Sequence, residues 1–266
     1  MIQSIVFFDI DGTLLDHDKK LPDSAKEAIR LLKQDGHIVA IATGRAPFAF
    51  KELCEELDIN SYISLNGQYV VLNGEVIHKN PLNTDELQAL TDFSAANHHP
   101  VVYMDHEGIK SNVKYHVHIK ESIGSLKLAF SHPDHDPEYF KNREIYQTLL
   151  FCTNEEEAAY TGRFQEFNFV RWHEYSMDVM PKGGSKAIGI EKVIERLGLT
   201  REQVYAFGDG LNDIEMLQYA GNGVAMGNAH DEVKKIAKHV TKDVGENGIA
   251  HGLELVGLLE RKKAGV

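Results

Sequence analysis

The apolar positions fall into short unbroken runs, separated by amphipathic stretches of helical period. Ile5-Val6-Phe7-Phe8 is the first run, rich in β-branched and aromatic types, and reads as a strand buried on both faces. It leads straight into Asp9-Ile10-Asp11-Gly12-Thr13. Period-two alternation predicts that Asp9 and Asp11 leave the strand end on roughly the same side, with Gly12 turning the backbone. Leu14 to Pro22 is polar and turn-like, a candidate flap. Asp23 or Ser24 caps a helix to about Gln34, with Ala28, Leu31 and Leu32 on its buried face and Gly36 ending it. His37 to Ala42 is a second buried strand with Thr43-Gly44-Arg45 at its tip, and Pro47 opens a helix to about Leu57. Strand, crossover helix and strand make the βαβ unit of a parallel sheet. Tyr62 to Leu65 is a third strand, ending at Asn66-Gly67. Tyr69 to Leu72 and Glu75 to Lys79 flank Asn73-Gly74, a hairpin signal.

Near Pro81 the pattern changes. Helices over Thr84 to Asn97 and Glu155 to Phe164 alternate with strands over Pro100 to Met104, Ile145 to Thr153, Phe167 to Trp172 and Ser176 to Met180. The first pattern resumes with a helix carrying Lys186 to about Leu197 and the apolar run Val204 to Phe207. Gly208-Asp209-Gly210-Leu211-Asn212-Asp213 stands at that strand's tip. A helix from about Ile214 to Tyr219, a short strand from Gly223 to Met226 and two terminal helices follow. The expected architecture is α/β, a doubly wound and mostly parallel sheet formed by 1–81 and 182–266. An α+β domain, 82–181, is inserted into it.

A formal charge of -12 argues against general nucleic-acid binding, so no nucleic-acid partner is expected. It also means that a phosphate site must build its own positive potential from metal, lysine and helix ends. The two cysteines, Cys54 and Cys152, have no ligand-like spacing and suit a reducing cytoplasm. The first apolar run is too short for a secretory signal, and no stretch approaches transmembrane length, so no membrane partner is expected.

A doubly wound sheet binds ligands beyond the carboxyl ends of its strands, where every polar cluster named so far lies. Asp9, Asp11, Asp209 and Asp213 supply four carboxylates. Two like charges at an apolar strand tip call for a partner, and a divalent metal is the natural one. Magnesium takes hard oxygen ligands and keeps water or phosphate oxygens in its shell. Thr43 and Gly44 offer a hydroxyl and backbone amides near a helix start, a phosphate cradle. Lys186 offers a point charge, with Lys182 as its rival, and Asn212 a neutral donor.

These motifs, Asp9-x-Asp11-Gly12-Thr13, Thr43-Gly44-Arg45, Lys186 and Gly208-Asp209-Gly210-x-Asn212-Asp213, resemble in order and spacing those of the haloacid dehalogenase superfamily of phosphohydrolases. The size and position of the insert resemble the Cof-type, class IIB cap branch. The resemblance implies a Rossmann-like core and a magnesium-dependent phosphatase acting on small phosphorylated metabolites, sugar phosphates or a phosphorylated cofactor. It implies Asp9 as nucleophile forming an aspartyl-phosphate and Asp11 as general acid and base. Thr43 and Lys186 complete the implied catalytic set, and Thr43, Gly44, Arg45, Lys186 and Asn212 the implied phosphate or substrate contacts. The implied metal set is Asp9, Asp11 through its carbonyl, Asp209 and Asp213, with Asp213 alternatively orienting Lys186. For this chemistry Asp11 is expected to titrate high, pushed up by its like-charged neighbour.

In such an arrangement the insert reads the rest of the substrate. Trp172, His173, Tyr175, Tyr103 and Asp105 are candidate contacts, and His116-x-His118 or His132 to Asp136 a candidate second metal site. A phosphomutase or phosphotransferase of the same mechanism, and a non-catalytic sensor of phosphorylated ligands, remain alternatives. A monomer or weak homodimer is expected.

Overall fold

A computed structural model describes residues 4–125 and 132–260. The chain divides into two compact units. The first runs through Arg45, takes in Phe50–Lys79 and resumes at Ser185; the second holds Asn80–Gly184 together with Ala46–Ala49.

The first unit is built on one sheet. In spatial order its strands are His239–Val240, Asn222–Ala225, Val204–Gly208, Ile5–Phe8, Ile38–Ala42, Tyr62–Ser64, Tyr69–Leu72 and Glu75–Lys79. Pairing is parallel from the first of these to Tyr62–Ser64, and the last two strands add an antiparallel hairpin. The strand order reverses on either side of Ile5–Phe8, which is therefore the switch point where such sheets bind ligands.

Alternation along Ile5–Phe8 explains its apolar character. Val6 and Phe8 face a core with Ile29, Leu32 and Leu253. Ile5 and Phe7 face another with Ile190, Val193 and Leu217. Both faces carry helices: Asp23–Gln34 and Gly248–Leu255 on one side, Lys186–Leu197 and Ile214–Tyr219 on the other. A strand covered on both faces has no place for a polar residue until it ends.

The second unit holds a six-stranded sheet, in the order Phe167–His173, Ser176–Pro181, Gln147–Leu150, Val101–Met104, Ile109–Ser111 and Asp134–His135. All its pairings are antiparallel but the last. Helices Thr84–Ala96, with Asn83 capping it, and Glu157–Thr161 pack Leu87, Leu90 and Tyr160 against one face. The pattern alone did not predict Ile109–Ser111, Asp134–His135 or the helix Val117–Ser125. Each is short and polar enough to carry no period. The helix expected over Glu155 to Phe164 shrinks to Glu157–Thr161. No helix among the described residues is long and apolar enough to cross a membrane.

Candidate active site

The strand Ile5–Phe8 ends before its carboxylates, so alternation does not carry through to them. Asp9 keeps the sheet's bonding, its N–H donating to Phe207 O at 3.0 Å. The chain then turns, with Leu14 N–H donating to Asp9 O and Leu15 N–H to Ile10 O. Asp9 and Asp11 consequently point at different partners, not at a shared one.

Asp9 is buried and accepts a hydrogen bond on Oδ1 from Lys186 Nζ at 2.6 Å. The same ammonium donates to Asp213 Oδ1, also at 2.6 Å. Lys186 lies in the first turn of its helix, whose start is capped by Ser185 Oγ accepting from Ile188 N–H. Asp213 Oδ2 accepts from the N–H groups of Asp209 and Gly210, both at 2.9 Å, so both of its oxygens are engaged. Thr13 Oγ1 donates to Asp209 Oδ1 at 2.8 Å, tying the first loop to the last. Of the two candidate lysines, Lys186 is the one among the carboxylates; Lys182 is exposed.

Oxygens of Asp9, Asp209 and Asp213 all lie within 4.8 Å of one another. Burial pushes the Asp9 carboxyl up to about 7, against the lowering effect of Lys186 and with a further push from Asp213. Burial likewise takes Asp209 up to about 6, opposed by the Thr13 hydroxyl and assisted by Asp213. Burial disfavours the Lys186 ammonium, but Asp213 and Asp9 outweigh it and raise its pKa. One ammonium among three converging carboxylates leaves negative charge uncompensated. An all-oxygen donor set of that charge fits a hard divalent cation of the magnesium class.

The Asp11 carboxylate is not in this group. Arg45 donates to it twice, from Nε at 2.8 Å and Nη2 at 2.6 Å, and Lys19 Nζ donates as well. Burial alone would raise this carboxyl, but the bonds and charges of Arg45 and Lys19 hold it below the usual range. The expectation that Asp11 titrates high is therefore overturned: its nearest charges are two cations, not Asp9. Lys19 was not legible as a site residue. It sits in a turn closed by the Asp16 side chain, which accepts from Asp18 and Lys20 N–H, and adopts φ +61°.

Thr43 is buried, with Oγ1 accepting from Arg45 N–H at 3.1 Å, while its carbonyl accepts from Asn66 N–H. A Cβ on Gly44 would meet the Asn66 amide at 3.1 Å. Asn212 Nδ2 donates to Asn66 Oδ1 at 3.1 Å, joining two strand tips. Asn228, unmarked by any motif, donates to Gly12 O and accepts from Val244 N–H. Its place just beyond the strand Asn222–Ala225 was the only signal available.

The inserted unit looks different. Tyr103 is a core residue, its hydroxyl bonded to Thr91, and Asp105 braces a turn through Glu107 and Gly108 N–H and Arg143. Among the described residues the histidines form no metal-competent group. His118 stacks on Tyr175 at 4.2 Å, and His132 Nε2 accepts from His116 N–H.

A profile described as haloacid dehalogenase-like hydrolase matches residues 6–253. The chain is 51% identical over 260 residues to the putative phosphatase YkrA of Bacillus subtilis, covering 98% of this chain and 100% of that one. It is 32% identical to the 5-amino-6-(5-phospho-D-ribitylamino)uracil phosphatase YcsE of the same organism, covering 94% of each. The solved structure of the subclass IIB sugar phosphatase BT4131 superimposes with a TM-score of 0.82 at 33% identity, covering 96% of this chain and all of that one.

Proposed function

The chain belongs to the haloacid dehalogenase-like hydrolases, and on that footing we propose that it is a magnesium-dependent phosphatase of small phosphorylated metabolites, working through an aspartyl-phosphate on Asp9. The observation that carries this reading is the convergence of Asp9, Asp209 and Asp213 around Lys186. Sugar phosphates and phosphorylated cofactors or their precursors are the proposed substrate class, supported by the activities named for BT4131 and YcsE.

In the first half-reaction an Asp9 oxygen attacks phosphorus, the bond from phosphorus to the ester oxygen breaks, and that oxygen takes a proton from Asp11. In the second, water attacks the aspartyl-phosphate, gives its proton to Asp11, and the bond to Asp9 breaks, releasing inorganic phosphate. Lys186 holds Asp9 in position and faces the charge on the phosphoryl oxygens, which is where such reactions gain their rate. Asp213 holds Lys186 and, through its second oxygen, the backbone that carries Asp209. Asp9 and Asp209, with the Asp11 carbonyl, would hold the magnesium ion, which when bound keeps Asp9 ionised and offsets phosphoryl charge. Thr43 and Gly44 are proposed as the phosphate cradle, with Asn212 as a further donor. Paired with Arg45 and Lys19, Asp11 is ionised; its carboxyl has to leave that pair to work as an acid, and the proton it takes from water in the second half-reaction is the one it gives in the next turnover.

The test is phosphate release from p-nitrophenyl phosphate in magnesium, with and without chelator, by the wild type and Asp9→Asn. Turnover that requires magnesium and vanishes in a folded Asp9→Asn is expected. Undiminished turnover in that variant would remove the nucleophile, and product appearing only with an added acceptor would indicate a phosphotransferase.

A further inference from the structure

The loop after the strand Tyr62–Ser64 takes a backbone path that its residues resist. Leu65, Asn66 and Gly67 run in succession at φ +51°, +54° and +95°. Glycine enters the left-handed region freely and asparagine tolerates it, but a bulky side chain there is a genuine outlier. Leu65 is nevertheless fully buried in that conformation. Strain of this kind persists only where the surroundings fix the backbone, and it gathers at functional sites.

Three of the motif loops supply those surroundings. Leu65 N–H donates to Arg45 O and Asn66 N–H to Thr43 O, both at 3.1 Å, so the main chain ties this turn to the proposed phosphate cradle. Gly67 lies against the residue before Lys186: a Cβ there would stand 2.1 Å from Ser185 O. The Asn66 amide lies against Gly44, where an added Cβ would meet both Oδ1 and Nδ2 at 3.1 Å. Its Oδ1 accepts from Asn212 Nδ2, also at 3.1 Å. The backbone alone does not call for asparagine, since glycine adopts the same φ without strain. What asparagine adds is the amide. Asn212 Nδ2 carries two hydrogens. With one bonded to Asn66, the direction of the other is fixed. Without that bond the Asn212 side chain, which is exposed, has to be ordered each time an anion binds.

We propose that Asn66 is a positioning residue of the phosphate site, holding the Asn212 amide in the orientation that meets a phosphoryl oxygen. The strained turn sets Asn66 where its amide reaches both Gly44 and Asn212. This deepens the phosphatase reading and rests on it for the role of Asn212.

Asn66→Gly removes the amide and keeps a residue suited to φ +54°, so it separates the side chain from the turn. Full-length protein in magnesium is titrated with inorganic phosphate by calorimetry, as wild type, Asn66→Gly, Asn212→Ala and the double variant. Each single variant is expected to bind phosphate about tenfold more weakly, as loss of one ordered hydrogen bond to an anion implies. The double variant should bind no more weakly than Asn212→Ala, since the bond between the two amides is missing in all three. A role confined to shaping the turn predicts instead that Asn66→Gly binds phosphate as the wild type does, or that its loss adds in full to that of Asn212→Ala. Either result overturns the proposal. So does an Asn66→Gly chain that fails to fold, which assigns the residue to stability, or a wild type that binds no phosphate. Absence of p-nitrophenyl phosphate turnover in a wild type that binds phosphate would sink the phosphatase reading alone, and the four titrations would still decide this one.

Discussion

Removing divalent metal and raising the pH should destabilise this protein, and Asp9 sets the size of the effect. Asp9 is 7% exposed, and its carboxyl stands at about 7, against an ordinary value of 3.8. Between those two values the unfolded chain has Asp9 ionised while the folded chain keeps its proton. The folded state therefore binds more protons, and stability falls as pH rises across that window. Three units at about 1.4 kcal/mol each give a loss on the order of 4 kcal/mol from Asp9 by the time pH passes 7. Asp209, taken up to about 6, shifts in the same sense and adds to the slope. Urea unfolding in chelator at a series of pH values from 4.5 to 8 measures it. Magnesium favours the ionised carboxylates, so its stabilisation should be negligible at the acid end and grow with pH, reaching about 2.7 kcal/mol at a hundredfold excess over its dissociation constant. Asp9→Asn should lose most of the chelator-state slope and gain stability at pH 8. An unchanged slope in Asp9→Asn, or a magnesium effect independent of pH, would refute this account of the cluster.

Three further outcomes are expected. Lys186→Met leaves Asp9 and Asp213 buried without their shared cation; breaking a buried pair in this way costs about 3–5 kcal/mol, read by denaturation, and near-normal stability would count against the bridging role. Gly12→Ala should abolish magnesium-dependent turnover and lower the melting temperature, because Gly12 has φ +82° and a Cβ there would stand 2.2 Å from Asp209 Oδ2; wild-type kinetics would show that Asp209 moves freely. Asp11→Asn should lower kcat by about 10²–10⁴ on alkyl phosphates and far less on p-nitrophenyl phosphate, whose leaving group needs no proton; equal losses on both would point to a positioning role.

Much of the core was legible because its strands are covered on both faces and so appear as unbroken apolar runs, and because each polar tip interrupts one. That the strand tips would gather carboxylates at a switch point could be read from the sequence; the bonds from Lys186 to Asp9 and Asp213 could not. What could not be read was side-chain pairing after the chain turns. Asp11 was assigned a direction by extending strand alternation past Phe8, where the strand had already ended. Its capture by Arg45 and Lys19 depends on a five-residue turn organised by Asp16, which has no periodicity to betray it. In the insert, the helix Val117–Ser125 has a mixed face of histidine, lysine and isoleucine that carries little helical period. Gln147 and Ser176, buried with Oε1 and Oγ lacking a hydrogen-bond partner, were invisible for a different reason: a polar residue in a strand reads as outward-facing until its neighbours are known.

The pairing of Ile5 with both Ile38 and Val204 has a consequence for how the molecule is made. One flank of the strand Ile5–Phe8 is supplied by a segment only about thirty residues further along the chain. The other arrives only after the whole insert and the helix Lys186–Leu197 have left the ribosome. A chain cut short before Lys186 thus carries Asp9 without Lys186, Asp209 or Asp213, and on the proposed mechanism would not turn over substrate. On that mechanism the site is complete only once Val204–Gly208 is paired beside its distant neighbour.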